Sequence, residues 1–155
     1  MHRSWKQFGF APVWLAVTLS TPGFAGALYL EVGNPEAAAE AKAMGAILTA
    51  RVTACHDPAK SVVTANIIQV TGNDARRTEL KVRPLATPGF FAIVGDLPSG
   101  NSAIELAVTN PDYKNYEPRV LVHASPTGVQ WASVSRFFGT PPTVADIKAA
   151  ADWRP

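Results

Sequence analysis

Ala46-Ile47-Leu48-Thr49-Ala50-Arg51-Val52-Thr53-Ala54 alternates from Leu48 onward. Leu48, Ala50, Val52 and Ala54 fall on one face, and Thr49, Arg51 and Thr53 on the other. Successive side chains of a pleated chain point to opposite sides, so a period of two predicts a half-buried strand. Toward the C-terminus, His56-Asp57-Pro58 ends that strand. Ser61 to Val70, rich in Val, Ile and Thr, predicts a second one. Thr71-Gly72-Asn73-Asp74-Ala75 is built of residues that tolerate positive φ or bond to their own backbone, and it predicts a turn. Thr78 to Val82 alternates again, with Leu80 and Val82 inward and Glu79, Lys81 and Arg83 outward, which completes a hairpin.

The same texture continues. Phe90 to Val94, the run holding Ile104, Leu106 and Val108, Arg119 to Ala124, and Val129 to Phe138 predict four more strands. Between them lie Gly95 to Gly100, Asn110-Pro111-Asp112 and Ser125-Pro126-Thr127-Gly128, all turn formers. About seven strands with no long helix between them exclude parallel βαβ folds. The expected fold is mainly β: an antiparallel immunoglobulin-like sandwich of about seven strands, with a small barrel as runner-up. A single Cys excludes the inter-sheet disulfide of antibody domains, and Trp131 is the expected core anchor in its place.

Short helices are expected near each end of the mature chain. Asn34 is a good N-cap, Pro35 suits the first helical position, and Ala37 to Met44 are helix formers up to the stop at Gly45. That helix, 35–44, is mostly alanine and buries little. Thr143 and Asp146 resemble a capping box opening a helix through Ala151.

The first 27 residues read as a signal peptide. Arg3 and Lys6 form a basic head, an apolar run follows from Phe8 to Leu19, and Ala25-Gly26-Ala27 fits a small-x-small cleavage site. The apolar run is well short of the ~20 residues needed to cross a bilayer. The expected organisation is 1–27 signal peptide, 28–45 N-terminal extension with a short helix, 46–138 sandwich domain and 139–155 helical tail. The protein is expected in the periplasm or secreted, with no membrane span after cleavage.

Cleavage also settles the charge. The 155-residue chain carries 14 Lys+Arg and 12 Asp+Glu, and the surplus of two is Arg3 and Lys6. The remainder is formally neutral, so nucleic-acid binding loses its electrostatic support and is not expected.

Two stretches carry a resemblance. One is Arg51-Val52-Thr53-Ala54-Cys55-His56-Asp57-Pro58. The other runs Pro88-Gly89-Phe90-Phe91-Ala92-Ile93, then Leu97-Pro98-Ser99-Gly100, then Ile104-Glu105-Leu106-Ala107-Val108. The second is similar to the hairpin of FixH/YtkA-like exported domains, small bacterial immunoglobulin-like sandwiches. Asn101-Ser102 stands where an aromatic often follows the turn glycine. The resemblance implies an uncharacterised exported bacterial sandwich protein. It transfers no site residue.

Cys55 and His56 are the candidate metal ligands, since thiolate and imidazole both suit Cu(I) or Zn(II) and the pair follows a strand. Neighbouring residues on a strand face opposite ways, and the mature chain adds only His123 and Met44 as further soft or imidazole donors. Cys55 is alternatively a small buried thiol beside Leu48, Ala50 and Val52. Tyr113 and Tyr116 are the candidate ligand-binding residues. Tyrosines in a polar loop suit recognition surfaces and sugar contacts, and alternatively one of the two plugs the end of the sandwich as a corner tyrosine does. No Gly-x-Ser-x-Gly elbow or phosphate-binding glycine loop occurs in the sequence. The expected function is a non-enzymatic accessory or interaction module, without a cofactor and with an unidentified protein partner. The alternatives are a copper- or zinc-handling domain and a carbohydrate-binding module.

Overall fold

The alternating stretch becomes strand β2 (Ala46–Thr53), whose inward residues Leu48, Ala50 and Val52 are buried. The computed structural model describes residues 27–54, 57–72 and 74–155. Eight further strands follow the chain: β1 (Tyr29–Gly33), β3 (Val62–Thr71), β4 (Asp74–Glu79), β5 (Lys81–Pro84), β6 (Phe90–Val94), β7 (Ser102–Thr109), β8 (Arg119–Ser125) and β9 (Gly128–Phe137). They form two antiparallel sheets, ordered β1-β2-β6-β5 and β4-β3-β7-β8-β9. One apolar core joins the inner faces of both. Leu48, Ala50, Phe91 and Ile93 of the first sheet meet Val63, Ala65, Ile104, Leu106, Val120 and Val122 of the second.

Two differences from the sequence reading enlarge the sheets. Tyr29–Gly33, expected in an extension, alternates too and pairs along β2. Thr78 to Val82, expected as one strand, is split at Leu80. Residues up to Glu79 pair with β3, and residues from Lys81 pair with β6 in the other sheet. Leu80 is the peg at the crossing. Its side chain is buried over Gly95, where a Cβ would lie 2.5 Å from Leu80 Cδ2, so a larger residue there would have to push that methyl aside.

The helix expected over 35–44 is broken. A 3₁₀ turn covers Pro35–Ala37, capped by the Asn34 side chain on Glu36 N–H. Ala38 is extended, and helix α1 (Ala39–Ala43) follows. With only Pro35 and Ala41 buried, tertiary packing supplies too little to hold one continuous helix.

Helix α2 (Val144–Ala151) forms as expected, with the reciprocal Thr143–Asp146 capping box. Its Ile147, Ala150 and Ala151 lie on the outer face of the five-stranded sheet, against Ile68, Ala103 and Leu121. Phe137 packs into the same cluster, whereas Phe138 is exposed and sets its ring edge-on to Tyr29 at 6.1 Å. Asp146 has its carboxyl pKa held below the ordinary range, first by the Thr143 hydroxyl and then by the Thr143 N–H. Asp152 is lowered chiefly by the hydrogen bond from Lys148. A lowered folded pKa gives stability that is complete above the unfolded carboxylate value and is lost as pH falls through the folded one. Amide exchange of α2 is therefore expected to accelerate below about pH 4 before that of β7 does.

Trp131 is not the core anchor. It is 37% exposed, because β9 carries a bulge: Leu121 pairs with Ser135 but His123 with Gln130. Three extra residues on the edge strand swing Trp131 outward and Ser133 inward. Ser133 Oγ then accepts from His123 N–H at 2.7 Å and donates to Gln130 C=O at 2.6 Å. Trp131→Ala is accordingly expected to cost less than about 1 kcal/mol in a urea titration. A loss above about 3 kcal/mol would restore the buried assignment. Trp153 is half-buried beside the His123 ring at 6.0 Å.

Candidate functional site

The loop from Asn110 to Pro118 joins the two most buried strands, β7 and β8, and is tied down from its first residue. Asn110 is 4% exposed. Its Oδ1 accepts from Asp112 N–H at 2.9 Å, the Asx turn that Asn-Pro-Asp favours. Its Nδ2 donates to Ser61 Oγ at 2.9 Å and to Asp57 C=O at 3.2 Å, linking this loop to the β2–β3 connection. Two further turns follow, Tyr113 N–H to Asn110 C=O and Tyr116 N–H to Tyr113 C=O. Asn115 takes a left-handed conformation, φ 63°, which asparagine tolerates better than most residues.

Tyr113 and Tyr116 are half-buried and both pack against the main core. They also line an open cleft of about 620 Å³ together with Lys114, Asn115, Glu117 and Arg119. Gly139 and Pro141, between β9 and α2, close its far side. Burial raises the Tyr116 hydroxyl pKa above the ordinary value, and the nearby Tyr29 raises it further. The phenol therefore stays neutral at physiological pH, able both to donate and to accept.

Arg119 forms one wall and connects the cleft to the sheet. Its Nη2 donates to Glu117 Oε1 at 3.0 Å and its Nη1 to Glu105 Oε1 at 2.8 Å. Glu105, in the middle of β7, is 2% exposed, and its other oxygen accepts from Arg77 of β4. This clasp ties β4, β7 and β8 together across the five-stranded sheet. Sequence reading missed it. The signal was present in Glu105, a lone carboxylate inside the run Ala103 to Val108.

Cys55 and His56 lie outside the described residues, so the expected metal site and the alternative buried thiol have no geometry here. His123 is elsewhere, 4% exposed under α2, with Nδ1 3.1 Å from Ala150 C=O. Met44 is exposed at the end of α1. Among the described residues, no three His, Cys, Asp or Glu side chains are grouped to hold a metal ion. Among the same residues, no helix is long and apolar enough to cross a membrane. No protein-family model, curated protein or solved structure matches the chain.

Proposed function

We propose that this chain is an exported, non-enzymatic interaction module that meets a protein partner through the end of the sandwich built by the β7–β8 loop. One observation carries the reading: the 620 Å³ cleft sits on a loop pinned by Asn110 and anchored by two core-packed tyrosines. A loop with buried anchors is ordered before it binds, so less entropy is lost on association. Half-buried tyrosine offers contact area with few torsions to freeze.

The finer fold assignment is immunoglobulin-like. The order β1-β2-β6-β5 follows A-B-E-D of that fold, and β3-β7-β8 follows C-F-G. Strand β4 lies beside C, and β9 adds beyond G. This order supports the kinship with FixH/YtkA-like exported domains that the Pro88 to Val108 stretch suggests. Export rests on residues 1–27, and places the mature protein in the periplasm or outside the cell.

The carbohydrate-binding reading draws on the same cleft, where Tyr113 and Tyr116 stand with Asn115, Lys114 and Glu117. The copper- or zinc-handling reading rests on the sequence of Cys55 and His56 alone.

A photo-crosslinking residue at Lys114, expressed in an exporting bacterium, should give one discrete protein adduct. The same residue at Thr127, on the turn between β8 and β9, should not, and Tyr116→Ala should abolish the Lys114 adduct. Equal labelling from both positions, or none from Lys114, overturns the reading. A glycan array on the same protein separates the sugar alternative, and titration with Cu(I) and Zn(II) the metal one. Intact mass of the exported chain should place its first residue at or near Leu28.

A further inference from the structure

Strand β3 runs four residues beyond the cover of its outer neighbour. β4 pairs with Asn66 to Thr71 only, because the chain leaves that sheet at Leu80 to begin β5 in the other. Val62 to Ala65 therefore have β7 on one side and, among the described residues, no strand on the other. Two hydrogen bonds fix which backbone groups face the gap. Leu80 N–H donates to Ala65 C=O at 2.9 Å, so the polar groups of Ala65 point away from β7. Val108, opposite Val63, donates its N–H to Pro118 C=O at 3.1 Å and so turns away from β3. Groups alternate sides along an antiparallel strand, so Val63 N–H, Val63 C=O and Ala65 N–H all face the gap.

The gap is a cleft of about 590 Å³ between this edge and β5, with Leu80 and Val82 as its apolar lining and Lys81 and Arg83 along it. The edges at β4, β5 and β9 carry features that block pairing, and the remaining edge, β1, carries Glu31 at its centre. β4 is charged along its length, β5 has Lys81, Arg83 and Pro84, and β9 is bulged. Val62-Val63-Thr64-Ala65 has no charge, proline or glycine, and Val62 is 60% exposed.

We infer that this gap is a docking groove for an extended acidic segment of a partner protein, which adds a strand along Val62 to Ala65 in the place β4 vacates. Charge selects the occupant. Lys81 and Arg83 have no ion-pair partner among the described residues, and one carboxylate, Glu79, lines the groove with them. A second copy of the chain would bring two further cations to the same groove, which like-charge repulsion disfavours. An added strand supplies main-chain hydrogen bonds to Val63 and Ala65. Its alternate side chains then supply apolar contact with Leu80 and Val82, and carboxylates for Lys81 and Arg83. This groove is separate from the tyrosine-lined cleft and stands independently of it.

The test uses a short blocked peptide alternating valine with glutamate. It should bind and slow the amide exchange of Val63 and Ala65. Lysine in place of glutamate, or Lys81→Glu with Arg83→Glu in the protein, should weaken binding about tenfold, and the two changes together should restore it. Methylating the peptide nitrogens that would pair with β3 should abolish binding while leaving the protein untouched. Both substituted residues are exposed, so the variant protein should fold. The inference fails if the glutamate peptide does not bind, if it binds without protecting Val63, or if the lysine peptide binds equally well. It fails also if Val63 protection rises with protein concentration alone, which assigns the edge to a second copy.

Discussion

Leu106→Ala is expected to destabilise the protein by about 4 kcal/mol, in the upper part of the range for a buried leucine. Leu106 is fully buried on β7, the middle strand of the five-stranded sheet, and faces the apolar core between the sheets. The cost of such a truncation depends on how far neighbours can close the hole. Here they cannot close it far. Both flanking strands are held in register by hydrogen bonds, Ala65 opposite on β3 and Val120 opposite on β8. Alanine has no side chain to swing into the space, and a β-branched valine has one strongly restricted torsion. Ile104, two residues along, sits between Ile67 and Val122, and Ile104→Ala should cost less because Ile67, unlike a valine, has a second torsion that can turn its end methyl into the space. A urea titration should show the midpoint falling with an unchanged slope, since the exposed area on unfolding hardly alters. A loss below about 2 kcal/mol at Leu106 would mean that the two sheets do not meet there. Domains of this kind have only about 5–15 kcal/mol in total, so the variant should be marginal at physiological temperature.

What could be read from the residues follows from which interactions are local. The period-two pattern is a property of one strand and the water on one side of it, so β2, β3, β6, β7, β8 and β9 are legible from it. Turn chemistry is equally local, and Asn110 and the Thr143–Asp146 cap form where their residue types require. The missed features depend on partners distant in sequence. β1 has only five residues and takes its place from pairing with β2. The switch of sheets at Leu80 leaves the alternation Glu79-Leu80-Lys81-Val82 undisturbed, because inward residues face the same core from either sheet. Trp131 was misplaced because a bulge changes the face of every residue inside it, and the group that holds the bulge, the His123 N–H bonded to Ser133, lies on the neighbouring strand β8. Of the site, the two tyrosines were visible in the loop. Arg119 and Glu105 were not, since their meeting depends on the pairing of β7 with β8.

That meeting supports the second large effect. Arg119→Ala is expected to cost about 3 kcal/mol, the amount typical of stripping one partner from a buried ion pair. Glu105 has a side chain 3% exposed, and Arg119 is itself three-quarters covered, so water reaches the carboxylate poorly once the guanidinium is gone. The remaining partner, Arg77, is nearly half exposed and pairs at the margin of the sheet. Arg77→Ala should therefore cost only about 1 kcal/mol, because water replaces much of what that pair contributes. Salt separates the two further. Added sodium chloride should erode the Arg77 contribution and leave the Arg119 contribution nearly intact, since screening acts on exposed charges. Glu105→Gln should fall between them, at about 2 kcal/mol, because one amide oxygen can accept from Arg119 while the amide NH₂ faces Arg77. The effect should also reach the cleft. The second Arg119 nitrogen holds Glu117 at the end of the β7–β8 loop, so Arg119→Ala should speed amide exchange around Asn115 and Tyr116. Arg77→Ala should leave that loop unchanged. If both variants cost the same, or if loop exchange is indifferent to Arg119, then the clasp neither stabilises the sheet as argued nor positions the recognition loop. If they differ as expected, one buried carboxylate on the central strand fixes both the outer face of the sheet and the shape of the surface offered to a partner.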